Sequence, residues 1–278
     1  MNYRHAYHAG NVADVFKHLV LVWVLQALRA KDKPFCVIDT HAGSGHYLLK
    51  AGGEHEQGVG RLWPARADWP AFAAYFSALA AGAAEALEVY PGSPRLIAGQ
   101  LRPGDRAVFI ERHPEEAAAL RMSLSAQRGI SIQQTDGLAA LKGLVPPSEN
   151  RGLVLIDPPY EQRDEPAQVV RALQAAVKRW RNGIYMVWYP IKDRRAIAPL
   201  LAGLTRLVPE GYAVEFLTLP EDVPQRLNGS GLALLNPPWT LRPLLEEQLP
   251  RLAEFLAPVG GRPRVNFIDL GSGTTHES

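Results

Sequence analysis

Phe35-Cys36-Val37-Ile38-Asp39-Thr40-His41-Ala42-Gly43-Ser44-Gly45 is the stretch on which the fold turns. A short apolar run follows Pro34, ends in an aspartate and passes into a glycine-rich turn. Such a run suits a strand buried on both faces, and the glycines let the chain turn tightly beside a ligand. The same pattern recurs at 107–111, 130–134, 153–157 and 184–189, with helical stretches between most of the runs. Strands alternating with helices predict a parallel sheet covered on both sides. Two further runs, 213–219 and 231–236, are joined by a Pro/Asn/Gly segment without a helix and predict an antiparallel pair. The expectation is a Rossmann-like α/β fold: seven strands, mostly parallel, the last antiparallel.

The gap from Asp39 to Ala107 is too long for an ordinary crossover. Its Ala-rich stretch, 70–88, predicts a helix, and Tyr90-Pro91-Gly92-Ser93-Pro94 predicts a helix start with Ser93 as N-cap and Pro94 in the first turn. The expected organisation is one domain over 1–278, with a small helical insertion at 47–90. Upstream, Asn11 is placed to cap a helix reaching about Ala30, whose apolar stretch 19–28 is too short to span a bilayer. Asp14, Lys17, His18 and Leu21 share one face of it.

The 278 residues are 47% hydrophobic and 21% charged, an ordinary globular composition. A net charge of +2 neither demonstrates nor excludes a nucleic-acid partner. The single cysteine, Cys36, excludes an intrachain disulfide and fits a small core residue. The N-terminus lacks the basic-then-apolar order of a signal peptide. A cytoplasmic monomer, with no membrane association and no metal, is expected.

In a doubly wound sheet, ligands bind beyond the carboxyl ends of the strands. Strand one ends in Asp39 and the turn with His41 and Gly43; strand two ends in Glu111, suited to ribose hydroxyls; strand three is followed by Asp136-Gly137, suited to an adenine amine; strand four ends in Asp157. Four acidic strand ends in order form an S-adenosylmethionine pattern, hence a class I methyltransferase fold. A dinucleotide would call for a third glycine where Leu48 stands.

The catalytic segment is Asp157-Pro158-Pro159-Tyr160. The prolines fix φ and lack donors, so the Asp157 carboxylate and the Pro158 carbonyl are both free to accept from an NH2 group. Holding both protons aims the nitrogen lone pair at the methyl donor, and Tyr160 can stack on a base that has left its helical stack. Two stretches imitate these motifs. Asn236-Pro237-Pro238-Trp239 should emerge at the sheet edge away from the cofactor, and Phe267-Ile268-Asp269-Leu270-Gly271-Ser272-Gly273 reads as a frayed tail.

The opening Tyr3-Arg4-His5-Ala6-Tyr7-His8-Ala9-Gly10-Asn11, then Asp14, Lys17 and His18, resembles the start of the RlmJ family of bacterial 23S ribosomal RNA adenine N6-methyltransferases. The likeness continues through the segments at 39–45, 90–94, 136–137, 155–160 and 236–239. It implies a 23S rRNA (adenine(2030)-N6)-methyltransferase using S-adenosyl-L-methionine on a flipped-out adenine. It further implies that His18, His41, Ser93, Glu111, Asp136, Gly137 and Asp157 line the cofactor pocket, that Asp157 is the catalytic acceptor, and that Tyr3, His5 and Lys17 lie near the adenine. Without it, His18 reads as a helix histidine and Lys17 as a solvent-facing charge. Lys192, Arg194 and Arg195 are a solvated face or a phosphate contact, and Arg226 and Asn228 sit at the cofactor edge as RNA contacts or loop residues. Three alternatives stay open: a DNA adenine methyltransferase, a protein glutamine methyltransferase, and a non-catalytic RNA-binding protein on the same fold.

Overall fold

Side-chain alternation along the strands sets the layers. In β1 (Cys36–Asp39), Val37 joins one hydrophobic cluster while Cys36 and Ile38 join the other. β4 (Arg106–Ile110) and β6 (Gly152–Ile156) divide the same way, Phe109 and Leu155 to one side, Ile110 and Ile156 to the other. A sheet with two apolar faces needs helices on both. The computed structural model, which describes residues 8–80, 87–124, 127–221 and 226–271, places them so. One face is covered by α1 (Val12–Arg29), α4 (Ser93–Ala98), α5 (Pro114–Leu124) and α9 (Leu241–Leu256). The other is covered by α6 (Gly137–Leu144), α7 (Glu165–Arg179) and α8 (Arg194–Leu204).

The main sheet has the order β10-β8-β9-β7-β6-β1-β4-β5. β5 (Ile130–Gln133), β4, β1, β6 and β7 (Ile184–Ile191) are mutually parallel. β9 (Gly229–Leu235) runs antiparallel between β7 and β8 (Gly211–Leu217). The order reverses between β1 and β6, so the crevice beyond Asp39 and Asp157 is the topological switch point, where such sheets bind ligands.

The sheet has one strand more than expected. β10 (Arg264–Asp269) pairs antiparallel with β8 and covers an edge that would otherwise expose unpaired N–H and C=O groups. The stretch beginning at Phe267 therefore starts as a strand and not as a frayed tail. Its turn, closed by Gly271 N–H donating to Asp269 Oδ1 at 3.0 Å, lies beside the start of β8, away from the switch point. Asn236, just beyond β9, lies at that same far edge, where its side-chain amide donates to the carbonyls of Arg181 (2.7 Å) and Gly183 (2.9 Å).

Between β1 and β4, β2 (His46–Leu48) and β3 (Val89–Pro91) form a two-stranded antiparallel sheet in which Tyr47 faces Tyr90. The described residues between them form short helices, including α2 (Val59–Leu62) and α3 (Ala73–Leu79). The Ala-rich stretch is less regular than its composition suggests, opening with a 3-10 turn at Pro70–Phe72 before α3. This layer explains why α1 is apolar nearly all round: the sheet lies on one side and Phe72 on the other, with Trp23 edge-on to it and donating to the Ala71 carbonyl at 3.2 Å. Among the described residues no helix is long and apolar enough to cross a membrane, and no group of three or more His, Cys, Asp or Glu side chains is placed to hold a metal ion.

Candidate active site

α1 begins as its sequence demands. Asn11 Oδ1 accepts from the Asp14 backbone N–H at 2.9 Å, the expected cap. The helix then carries Lys17 beneath the sheet edge, where Nζ lies 2.8 Å from Asp14 Oδ1 and 2.5 Å from Asp157 Oδ2. Lys17 is 5% exposed, so the solvent-facing reading of it does not hold. Burial opposes its charge, but the two carboxylates outweigh burial and hold its pKa above the ordinary lysine value. The remaining side of the ammonium faces the Trp188 ring, 5.9 Å from its centroid.

Beyond β6, Pro158 is buried and Tyr160 turns back with φ +51°, a conformation that costs a non-glycine residue and clusters at functional sites. Tyr160 is pinned there: its hydroxyl donates to the Trp188 carbonyl at 2.9 Å, and the two rings lie 6.1 Å apart. Burial, then the neighbouring Asp157 charge, raises the phenol well above its usual pKa, so it stays a donor. Trp188 was not legible as a site residue. It is one aromatic among several in β7, and only the structure distinguishes it from the fully buried Tyr185 and Tyr189. Its indole N–H is shielded from solvent and has no hydrogen-bond partner among the described residues.

The loop after β1 holds the rest together. Asp39 is fully buried, accepting from Ser93 Oγ at 2.7 Å and from the His41 N–H at 3.2 Å. Ser93 is thus not the N-cap of α4; Gly92 occupies that position and the serine hydroxyl serves Asp39. Thr40 Oγ1 donates to the Leu155 carbonyl at 3.1 Å, so it accepts from His41 Nδ1 at 2.8 Å and leaves Nε2 as the acceptor. Burial lowers the His41 pKa and keeps the ring neutral. Gly43, at φ +62°, donates its N–H to Glu111 Oε2 at 2.8 Å, and His113 N–H donates to Oε1 at 2.7 Å, fixing that carboxylate. Asp136 is exposed and caps α6 through the Ala139 N–H at 2.9 Å. His18 Nδ1 lies 2.9 Å from the Tyr90 hydroxyl, itself 3.1 Å from that of Tyr75, all three buried. Tyr3 and His5 lie outside the described residues.

Burial raises the Asp39 pKa to about 7, against which the Ser93 and His41 hydrogen bonds act only in part. An acid whose folded pKa is raised loses stability as pH climbs from the ordinary carboxylate range to the folded value, because the unfolded chain releases its proton first. Asp39→Asn removes that dependence. Its melting temperature relative to wild type should rise between pH 5 and pH 7 and level off above; a constant offset across that range would refute this account of Asp39.

Two of the candidate RNA contacts, Arg194 and Asn228, are engaged within the fold or covered by it. Arg194 pairs with Glu215 at 2.5 Å and Glu221 at 2.7 Å, and its charge is spent within the fold. Asn228, at the edge expected for it, is 1% exposed, whereas its neighbour Arg226 is exposed.

The chain matches a family model described as "Ribosomal RNA large subunit methyltransferase D, RlmJ" over residues 32–269. It is 38% identical over 270 residues to Ribosomal RNA large subunit methyltransferase J of Haemophilus influenzae, covering 94% of this chain and 95% of that one. The chain belongs to the RlmJ family. The Escherichia coli K12 protein of the same name is 36% identical over 277 residues, covering 96% and 99%. The crystal structure of protein LPL1258 from Legionella pneumophila superposes with a TM-score of 0.90 at 32% identity, covering 95% of this chain and 99% of that one. Within the RlmJ family the parallel-core sheet described above is the Rossmann-like class I methyltransferase fold, and the match takes in β1 through β10 but stops short of α1, which brings Lys17 to Asp157.

Proposed function

We propose that this protein methylates the exocyclic N6 amine of an unstacked adenine in 23S ribosomal RNA, using S-adenosyl-L-methionine, and works as a single domain over 1–278 with 47–90 inserted. The observation that supports it most is the occupancy of Asp157. Lys17 holds Oδ2, which leaves Oδ1 and the Pro158 carbonyl as the two acceptors for a planar NH2 group.

The residues present fit the cofactor. Asp39 makes no ion pair among the described residues, and its raised pKa marks a buried carboxylate short of positive charge, which suits a bound ammonium. Glu111 is fixed by two backbone donors with lone pairs left for a ribose, and Asp136 stands at the next strand end for an adenine amine. His18, His41, Gly43, Ser93 and Gly137 would complete that pocket. When bound, S-adenosylmethionine supplies an electrophilic methyl group for in-line transfer.

Asp157 Oδ1 and the Pro158 carbonyl accept the two amine protons and take the nitrogen lone pair out of conjugation with the ring. The Tyr160 ring, fixed by the Trp188 carbonyl, offers a flat wall for the base. Positioning of this kind supplies much of the rate in such displacements. Lys17 keeps its proton, which leaves Asp157 Oδ1 as the first acceptor for the proton the methylated amine sheds. Tyr3, His5 and Lys17 would lie on the side where the adenine enters. Sequence-specific RNA recognition works on unpaired bases, so the target adenine should sit in an opened segment.

Incubation with labelled cofactor and undermodified 23S RNA, followed by digestion to nucleosides, should place the label in N6-methyladenosine. Label found only in cytosine or in protein would rule the proposal out. Asn236→Ala is the matching control: it removes two amide hydrogen bonds and places alanine at φ +50°, costing about 1–2 kcal/mol of stability, while turnover should stay at the wild-type level. Loss of turnover in a folded Asn236→Ala protein would mean that the second motif takes part in the reaction.

A further inference from the structure

We propose that Asp14 is a positioning residue for methyl transfer, orienting the Lys17 ammonium so that Asp157 keeps one oxygen open to the substrate amine. The inference rests on the reading of Asp157 as amine acceptor and adds a residue to which no role has been given.

Asp14 is 8% exposed, and its two oxygens face different ways. Oδ1 meets Lys17 Nζ at 2.8 Å, and Oδ2 accepts the Gly10 N–H at 3.0 Å. Gly10, at φ +76°, belongs to a turn held from its other side: its carbonyl accepts from the Val59 N–H at 2.9 Å, and Asn11 Nδ2 donates to Glu54 Oε2 at 2.9 Å. One carboxylate thus joins the turn just after residues 1–7 to the ammonium that touches Asp157.

A lysine side chain is flexible and its ammonium is close to a point charge, so one carboxylate partner does not fix which oxygen it chooses. Two carboxylates with the Trp188 ring on the remaining side do fix it. Asp14→Asn should preserve the turn, because the amide oxygen can still accept from Gly10 N–H. It replaces the second carboxylate with a neutral group and frees Lys17 to shift along Asp157 into the place of the amine.

The test compares Asp14→Asn, Lys17→Met and the double variant with wild type in steady-state and single-turnover assays on 23S RNA, with Asp157→Ala alongside. Asp14→Asn should lower kcat roughly 10- to 100-fold, as misplacement near the chemistry does, with the RNA KM little changed. Its side-chain NH2 must face the Lys17 ammonium, so the melting temperature should fall, with the protein still folded at the assay temperature. Adding Asp14→Asn to Lys17→Met should cost nothing further, since the two act as one unit. In ligand-free protein labelled with 15N-lysine, the protected Lys17 ammonium signal should be present in wild type and lost in Asp14→Asn.

Wild-type kcat and an unchanged ammonium signal in Asp14→Asn, beside an inactive Asp157→Ala, would overturn the role of Asp14 and leave that of Asp157 standing. Multiplying losses in the double variant would overturn it too, since Asp14 would then not act through Lys17. An active Asp157→Ala would instead overturn the reading of Asp157 and, with it, this proposal.

Discussion

Asp157→Ala should reduce methyl transfer by about a hundredfold to a thousandfold, the scale set by removing a preorganised group at the reacting atoms. The methyl side chain offers no acceptor, so the amine keeps its lone pair in the ring and loses its aim. The fold should survive. Deleting one member of a buried ion pair typically costs about 3–5 kcal/mol, but Lys17 retains Asp14, and the Asp157 side chain is 17% exposed, so solvent softens the loss. Asp157→Asn should also be impaired. For its oxygen to face the amine, its NH2 must face the Lys17 ammonium, donor against donor. A single-turnover assay beside a thermal melt separates loss of chemistry from loss of fold. Transfer by the alanine variant within tenfold of wild type would remove Asp157 from the mechanism.

Legibility in the sequence followed the range of the interaction. The parallel core could be read because each strand is a short apolar run with its own stop, and the acidic strand ends could be read because they immediately follow such runs. The crossing of Lys17 to Asp157 could not, since 140 residues separate them and helix spacing shows only the Asp14 neighbour. At Ser93 the local sequence carries a strong cap signal, Ser-Pro before a helix, and nothing local reveals that a buried Asp39 claims the hydroxyl. The glycine-rich end of β10 copies the cofactor loop, and that stronger local pattern masks the alternation of Val265, Phe267 and Ile268 between the two faces of the sheet. The resemblance at the N-terminus points to Lys17, whereas its burial and its two carboxylate partners came only from the geometry.

Gly137→Ala should produce a large loss of stability. A Cβ at this position would lie 2.0 Å from the Thr40 carbonyl oxygen and 2.8 Å from its carbon, both backbone atoms of the loop that holds His41 and Gly43. Neither side yields easily. Gly137 is the first residue of α6, fixed by the Asp136 cap, and Thr40 is tied to Leu155 by its N–H (3.0 Å) and by its hydroxyl. Relief requires the start of α6 to retreat from the end of β1 by about the extra distance a carbon–oxygen contact needs, on the order of 1 Å. Overpacking against rigid neighbours costs typically 1–3 kcal/mol and more where the backbone must move, so a loss of about 3 kcal/mol is expected, seen as a lower denaturation midpoint with an unchanged slope. The same retreat carries Asp136 away from Asp39 and Glu111. If these carboxylates hold one ligand between them, Gly137→Ala should weaken cofactor binding in calorimetry even at temperatures where the protein is fully folded. Asp136→Asn, which leaves the backbone contact alone, should weaken binding without the stability loss. A Gly137→Ala protein with wild-type midpoint and affinity would show that Thr40 and α6 can part freely, and that the strand ends do not act as one rigid cradle.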